Sequence, residues 1–117
     1  MKFSAWYGIA FGFIMIVLWI FFIASGSVPE LQTDAWRIAL HLAAELATAL
    51  MLIVSGIALL KSAHWGKSML LVGLGMVIYS EIVSPGYFAQ RGQLALVAMF
   101  AILLLGATFG VMKLLQE

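Results

Sequence analysis

Residues 36–60 read WRIALHLAAELATALMLIVSGIALL, twenty-five residues of nearly unbroken apolar character carrying Arg37, His41 and Glu45 in their first half. A helix of this length rises by about 1.5 Å per residue and is long enough to cross a hydrocarbon core of about 30 Å with some tilt. Three further runs have the same character. Residues 6–25 are uncharged and rich in aromatics, residues 68–84 carry Glu81 near their end, and residues 94–112 have no ionisable side chain. The spacing predicts four transmembrane helices and no room for a soluble catalytic domain.

Composition supports this class. The 117-residue chain is 65% hydrophobic and 9% charged, with a mean hydropathy of +1.14, against roughly a quarter charged residues in soluble domains. A lipid bilayer is therefore the expected surrounding. The net charge of +1 is spread over six Lys and Arg, which forms no basic patch, so nucleic acid is not an expected partner. No cysteine is present, and this removes disulfides, thiolate metal sites, iron–sulfur clusters and cysteine nucleophiles together.

Short connectors at 26–35, 61–67 and 85–93 join antiparallel neighbours, giving an all-α membrane four-helix bundle of up-down-up-down topology, one domain over 1–117. Lys2, Lys61, Lys67 and Lys113 fall on one side and Arg37 and Arg91 on the other. Because Lys and Arg resist translocation, both termini are expected on the cytoplasmic side, in the cytoplasmic membrane of a prokaryote. Trp6, Tyr7, Trp36, Trp65 and Tyr87 lie at span ends, where amphipathic rings favour the headgroup region. A cleaved leader competes for the first run, with Lys2 as its basic flank and Ala24-Ser25-Gly26 as a loose cleavage site. That run is longer than a leader core, which favours a span.

Helices in lipid associate through small residues that let backbones approach. Gly8 and Gly12 in the first span and Gly106 and Gly110 in the fourth match small-xxx-small, and Gly73 shares a face of the third with Ser80 and Ser84. They predict packing within the bundle, with a first-to-fourth contact between the two glycine motifs. A homo-oligomer face is the competing use of the same residues.

Chemistry concentrates on the second span. At 100° per residue Arg37, His41, Glu45, Thr48, Ser55 and Gly56 share an arc of roughly 100°, so this face is expected to turn into the bundle, away from lipid. His41 and Glu45 are four apart and stack as helical neighbours. Counting from the outer ends of the spans puts His41 at about 8 Å depth, Glu45 at about 14 Å and Glu81 at about 5 Å. One outward-opening pocket holding His41, Glu45, Glu81, Arg37 and Thr48 is therefore expected. Arg91 is placed to neutralise Glu45 or Glu81, and residues 84–88 read as a turn in which Pro85 fixes φ and Gly86 supplies a positive one.

Intramembrane ionisable groups are costly enough to suggest function, and the pocket is expected to bind, and in a transporter to carry, a proton, small cation or small polar ligand. The bland alternative is a satisfied polar network that fixes helix register. An accessory subunit docking on a larger membrane complex is the runner-up function. A metal-dependent membrane enzyme comes third, with His41, Glu45 and Glu81 as ligands.

Other chemistries find little support. Haem between His41 and His64 fails on distance, since the two lie about 34 Å apart along the helix. No phosphate-binding loop indicates a nucleotide, and no serine stands out beside His41 for a hydrolase. Met15, Met76 and Met99 are scattered over three spans and read as apolar filling rather than copper ligands.

Overall fold

The computed structural model describes residues 2–26 and 30–116, with Glu30 and Leu31 described by backbone alone. Residues 27–29 of the first connector lie outside that range. Five helices follow one another: α1 (Lys2–Ala24), the single turn α2 (Glu30–Thr33), α3 (Ala35–Leu60), α4 (Gly66–Gln90) and α5 (Leu94–Leu115). The four long ones are each long and apolar enough to cross a membrane. They form the bundle.

Two of the helix stops are built alike. At the end of α4, Gly92 adopts φ +71°. Its N–H bonds the Ala89 carbonyl at 3.1 Å and the next N–H, of Gln93, bonds the Phe88 carbonyl at 3.0 Å. This double closure is the Schellman arrangement, which needs a left-handed residue after the last turn. At the end of α3 Ser62 takes that place at φ +60°, with Ala63 N–H reaching the Ala58 carbonyl at 2.9 Å.

The stop at Gly92 corrects the expected turn at residues 84–88. Helix α4 runs through Pro85 and Gly86 to Gln90, and Gly86 has no positive φ. Proline's fixed φ is already helical and its missing N–H removes one backbone bond, a loss that helices in apolar bundles tolerate. The third long helix is therefore 25 residues rather than the seventeen of the apolar run. Glu81, placed near a span end by sequence, sits about 13 Å inside the helix terminus at 1.5 Å per residue.

Neighbours around the ring are α1–α3, α3–α4, α4–α5 and α5–α1, while α1 also meets α4 across the middle. Contacts run in opposite directions along each neighbouring pair: Gly8 faces Leu52 and Gly12 faces Ala49 and Ile53 between α1 and α3, Ser4 and Tyr7 face Gly110 and Gly106 between α1 and α5, Gly73 meets Leu52 and Ser80 meets Glu45 between α3 and α4, and Leu74 meets Gly110 and Phe88 meets Phe100 between α4 and α5. All neighbouring pairs are thus antiparallel.

The tightest seam is α1–α3. A Cβ on Gly12 would lie 2.7 Å from the Ala49 carbonyl oxygen, and one on Gly56 would lie 2.8 Å from the Ala5 carbonyl oxygen. Each backbone thus occupies the space that a side chain would need on the other, the close approach that small residues permit. The expected pairing of the two glycine motifs is half corrected. Gly8 and Gly12 serve the α1–α3 seam, with Gly8 also meeting Leu70 of α4, whereas Gly106 receives the Tyr7 ring and Gly110 lies beside Ser4 and Leu74. Gly73 faces Leu52. Two polar bonds tie α1 to α5: Ser4 Oγ donates to the Gly110 carbonyl at 2.7 Å and Tyr7 Oη to the Leu103 carbonyl at 2.6 Å.

Burial is uneven along the bundle. The core residues Ala5, Phe11, Leu52, Leu70, Leu74, Val77, Ala107 and Leu114 gather where α1 and α4 begin and α3 and α5 end. We call this the closed end. Beyond Phe11 and Gly12 in α1, before Thr48 in α3, after Glu81 in α4 and before Ala107 in α5, no described residue is fully buried. The opposite, open end is loosely filled.

Candidate functional site

Where packing begins to loosen, polar side chains from α3 and α4 meet. Ser80 Oγ donates a hydrogen bond to Glu45 Oε1 at 2.9 Å. His41 Nε2 approaches the same oxygen at 3.5 Å from one turn further along α3. Both contacts converge on Oε1 and leave Oε2 of Glu45 available to a further donor. Glu45 is 12% exposed and His41 47%, so the pair runs from a sheltered carboxylate to an accessible ring. Trp19 of α1 meets the His41 ring edge-to-face at 5.8 Å between centroids and limits its orientation.

This pair sits in a groove of about 520 Å³ lined from α3 by His41, Ala44, Glu45 and Thr48 and from α4 by residues between Val72 and Ser84. No residue of α1 or α5 lines it. Tyr79, Val72 and Val83 on its wall are among the exposed large side chains. The groove therefore opens on the flank of the bundle, between α3 and α4, and not along its axis. Thr48 forms its buried floor and is turned back on its own helix, Oγ1 donating to the Ala44 carbonyl at 2.7 Å. Ser80 and Ser84 hydroxyls stand 3.4 Å apart on the α4 side.

The expected five-residue pocket is thus divided. His41, Glu45 and Thr48 do share one cavity. Glu81 does not line it: the residue belongs to the core stripe of α4 with Leu70, Leu74 and Val77 and is 3% exposed. One step along a helix turns a side chain by about 100°, so Ser80 faces the groove while Glu81 faces the interior. Its Oε2 has no hydrogen-bond partner. Proline at position 85 also withholds the N–H that would ordinarily reach the Glu81 carbonyl.

Arg37 is likewise outside the groove. It is 78% exposed and pairs with Asp34 at 3.1 Å on the first turn of α3. Arg91 lies over the Tyr87 ring at 4.4 Å, engaged there rather than with Glu45 or Glu81. The wide polar arc of α3 thus splits into an exposed end, a groove-lining middle and a buried remainder, with Ser55 hydrogen-bonded to the Met51 carbonyl of its own helix. The three-ligand metal site fails on the same geometry, because Glu81 points away from His41 and Glu45. Among the described residues no group of three His, Cys, Asp or Glu could hold an ion.

Ser80 is the site residue that the sequence reading passed over as a donor, having placed it on a packing face. Its signal was position: four residues before Ser84 and level with Glu45 once the helices are antiparallel. Gly56 was likewise read as part of the polar face, whereas it makes the close contact with α1.

A four-helix bundle of membrane-spanning length and apolarity, with a groove on its flank lined by His41, Glu45 and Thr48, is the class these features define. Within it, the chain belongs to the family described as Domain of unknown function (DUF8058), which matches residues 1–117. No curated protein and no solved structure matches it.

Proposed function

We propose that the chain is a small polytopic membrane protein that binds, and carries across its outer half, a proton, small cation or small polar ligand at Glu45. The observation that carries this reading is the carboxylate itself: Glu45 is sheltered and approached on one oxygen by both Ser80 and His41, and it faces a groove large enough for a ligand. Known ligand sites fall in the same range of roughly 300–1,000 Å³ and combine apolar walls with a few polar groups.

In this reading both termini are cytoplasmic, since Lys2, Lys61, Lys67 and Lys113 lie at the closed end and Arg37 and Arg91 at the open one. The groove then belongs to the outer half of the membrane. Glu45 supplies the charge that receives a cation or proton, Ser80 holds its orientation, and His41 offers a second exchangeable proton at the more accessible rim. Flux measured in proteoliposomes tests the role: Glu45→Gln should abolish proton-coupled or cation flux while the helical content survives. Unchanged flux in a folded Glu45→Gln protein overturns it.

A further inference from the structure

The groove is not polar throughout, and the order of its lining residues along α3 and α4 shows a gradient. The Ser80–Glu45 hydrogen bond sets the level at which the two antiparallel helices face each other. Toward the open end lie His41, Ser84 and Val83; toward the middle of the bundle lie Met76, Gly75 and Val72. On that inner side the hydroxyl present, Thr48, is committed to the Ala44 carbonyl. Gly75 leaves empty space where a side chain would stand, with no atom within 4 Å of a Cβ built on it. The groove therefore has a carboxylate, imidazole and hydroxyls at one pole and an apolar stretch with open space at Gly75 at the other.

Charge sharpens the match. Arg37 pairs with Asp34 and Arg91 covers Tyr87, so neither arginine at the open end is spent on Glu45. The occupant that complements this arrangement is positive and hydrogen-bond-donating at one end and apolar at the other.

From this geometry we infer that the ligand is a single-chain amphiphile with a protonated amine head, entering sideways between α3 and α4. This inference rests on the proposed binding role of Glu45 and specifies its substrate class. The ammonium group donates to Oε2 of Glu45 and to the Ser84 hydroxyl, and the chain lies over Gly75 between Val72 and Met76. The flank position gives such a molecule access from the surrounding lipid without crossing the packed closed end. A volume of about 520 Å³ suits one chain and is too small for a two-chain phospholipid.

Trp19, in contact with the His41 ring, provides a reporter. The protein, with Trp6, Trp36 and Trp65 replaced by Phe, is placed in phosphatidylcholine nanodiscs and titrated with dodecylammonium, dodecanol or methylammonium while Trp19 fluorescence is followed. Saturable binding of dodecylammonium is expected, weakened about tenfold or more by Glu45→Gln, as loss of a charge-assisted hydrogen bond implies. Gly75→Phe, which fills the apolar pole at a position with free space, should weaken dodecylammonium but leave methylammonium unaffected. Circular dichroism and monodispersity establish that both variants remain folded.

Equal binding of dodecanol and dodecylammonium overturns the recognition of an amine. Methylammonium binding as tightly as dodecylammonium overturns the amphiphile while sparing the polar-ligand role of Glu45. Loss of dodecylammonium binding when phosphatidylethanolamine replaces part of the phosphatidylcholine assigns the site to a lipid headgroup and overturns the single-chain ligand. If none of the three probes binds saturably, this inference fails, and the role of Glu45 in carrying a proton or cation is decided separately by the flux of the Glu45→Gln protein.

Discussion

Ser80 of α4 donates its hydroxyl to Oε1 of Glu45 on α3 across 2.9 Å, joining two helices side chain to side chain at the level where the core gives way to the groove. The bond fixes the relative height of α3 and α4 and orients the carboxylate. Hydrogen bonds between helices in membranes contribute about 0.6 kcal/mol on average and at most about 1.7 kcal/mol. Ser80→Ala is therefore expected to destabilise the bundle by an amount in that range. Glu45→Gln, which keeps an acceptor oxygen, should cost less. Unfolding in mixed micelles as a function of SDS fraction measures both.

The α1–α3 seam makes a sharper demand. A methyl group at position 12 would meet the Ala49 backbone oxygen at 2.7 Å, and a backbone atom cannot turn aside as a side chain can. Gly12→Ala should cost about 1–3 kcal/mol, the range for overpacked interiors. Gly75→Ala, with nothing near its new methyl, should be neutral or slightly stabilising because alanine favours the helix. The same SDS titration compares them, and equal losses would contradict the seam.

Tyr7 crosses from α1 to α5 and rests against Gly106 while its hydroxyl bonds the Leu103 carbonyl. Gly106→Ala would put a methyl 2.7 Å from the ring edge, so the ring must move and strain that bond. In a double-mutant cycle, Gly106→Ala should be less costly in the Tyr7→Phe background than in the native one, with a coupling of about 0.5 kcal/mol or more. An additive result would show that the ring yields without losing the bond.

Arg37→Ala tests the outer end of the polar face. Its pair with Asp34 is widely exposed, and such pairs contribute about 0.2–1 kcal/mol at most. The variant is expected to unfold at nearly the same SDS fraction as the native protein and to bind the same ligands. A large loss would place Arg37 in the groove after all.

The absence of native cysteine makes orientation directly testable. His64→Cys lies in the exposed loop between α3 and α4 and Gln93→Cys in the exposed loop between α4 and α5. With cytoplasmic termini, an impermeant maleimide should label Gln93→Cys in intact cells and His64→Cys only after the membrane is opened. The reverse pattern would invert the bundle and move the groove to the cytoplasmic half.

Much of the architecture was legible in residues 36–60 and their three counterparts, because run length and apolarity alone decide whether a helix can cross a bilayer. The end of α4 was not. Pro85 and Gly86 carry the signature of a turn in water, but losing one hydrogen bond is less costly than ending a helix in an apolar setting, and the true stop is set by Gly92. Half of the site was legible too: His41 and Glu45 meet as their i, i+4 spacing requires. Glu81 could not be placed from depth alone, since facing is decided by rotation about the helix, and one residue separates the groove from the core. The Gly12–Ala49 and Gly56–Ala5 contacts required knowing which helix lay opposite, which short connectors do not specify.

The four long helices are not equal, and their lengths have a consequence for the groove. α3 and α4 have 26 and 25 residues, whereas α1 and α5 have 23 and 22. At 1.5 Å per residue the groove-forming pair exceeds the other by about 4.5 Å. If the four helices span a membrane as proposed, a bilayer that matches α1 and α5 is too thin for α3 and α4, which must tilt or project beyond it. Tilting changes the angle between the two walls of the groove at the end where least packing resists. In the proposed function, bilayer thickness then becomes a determinant of how wide the groove stands, and lipids of graded acyl length should shift affinity for the proposed ligand in the native sequence without any mutation.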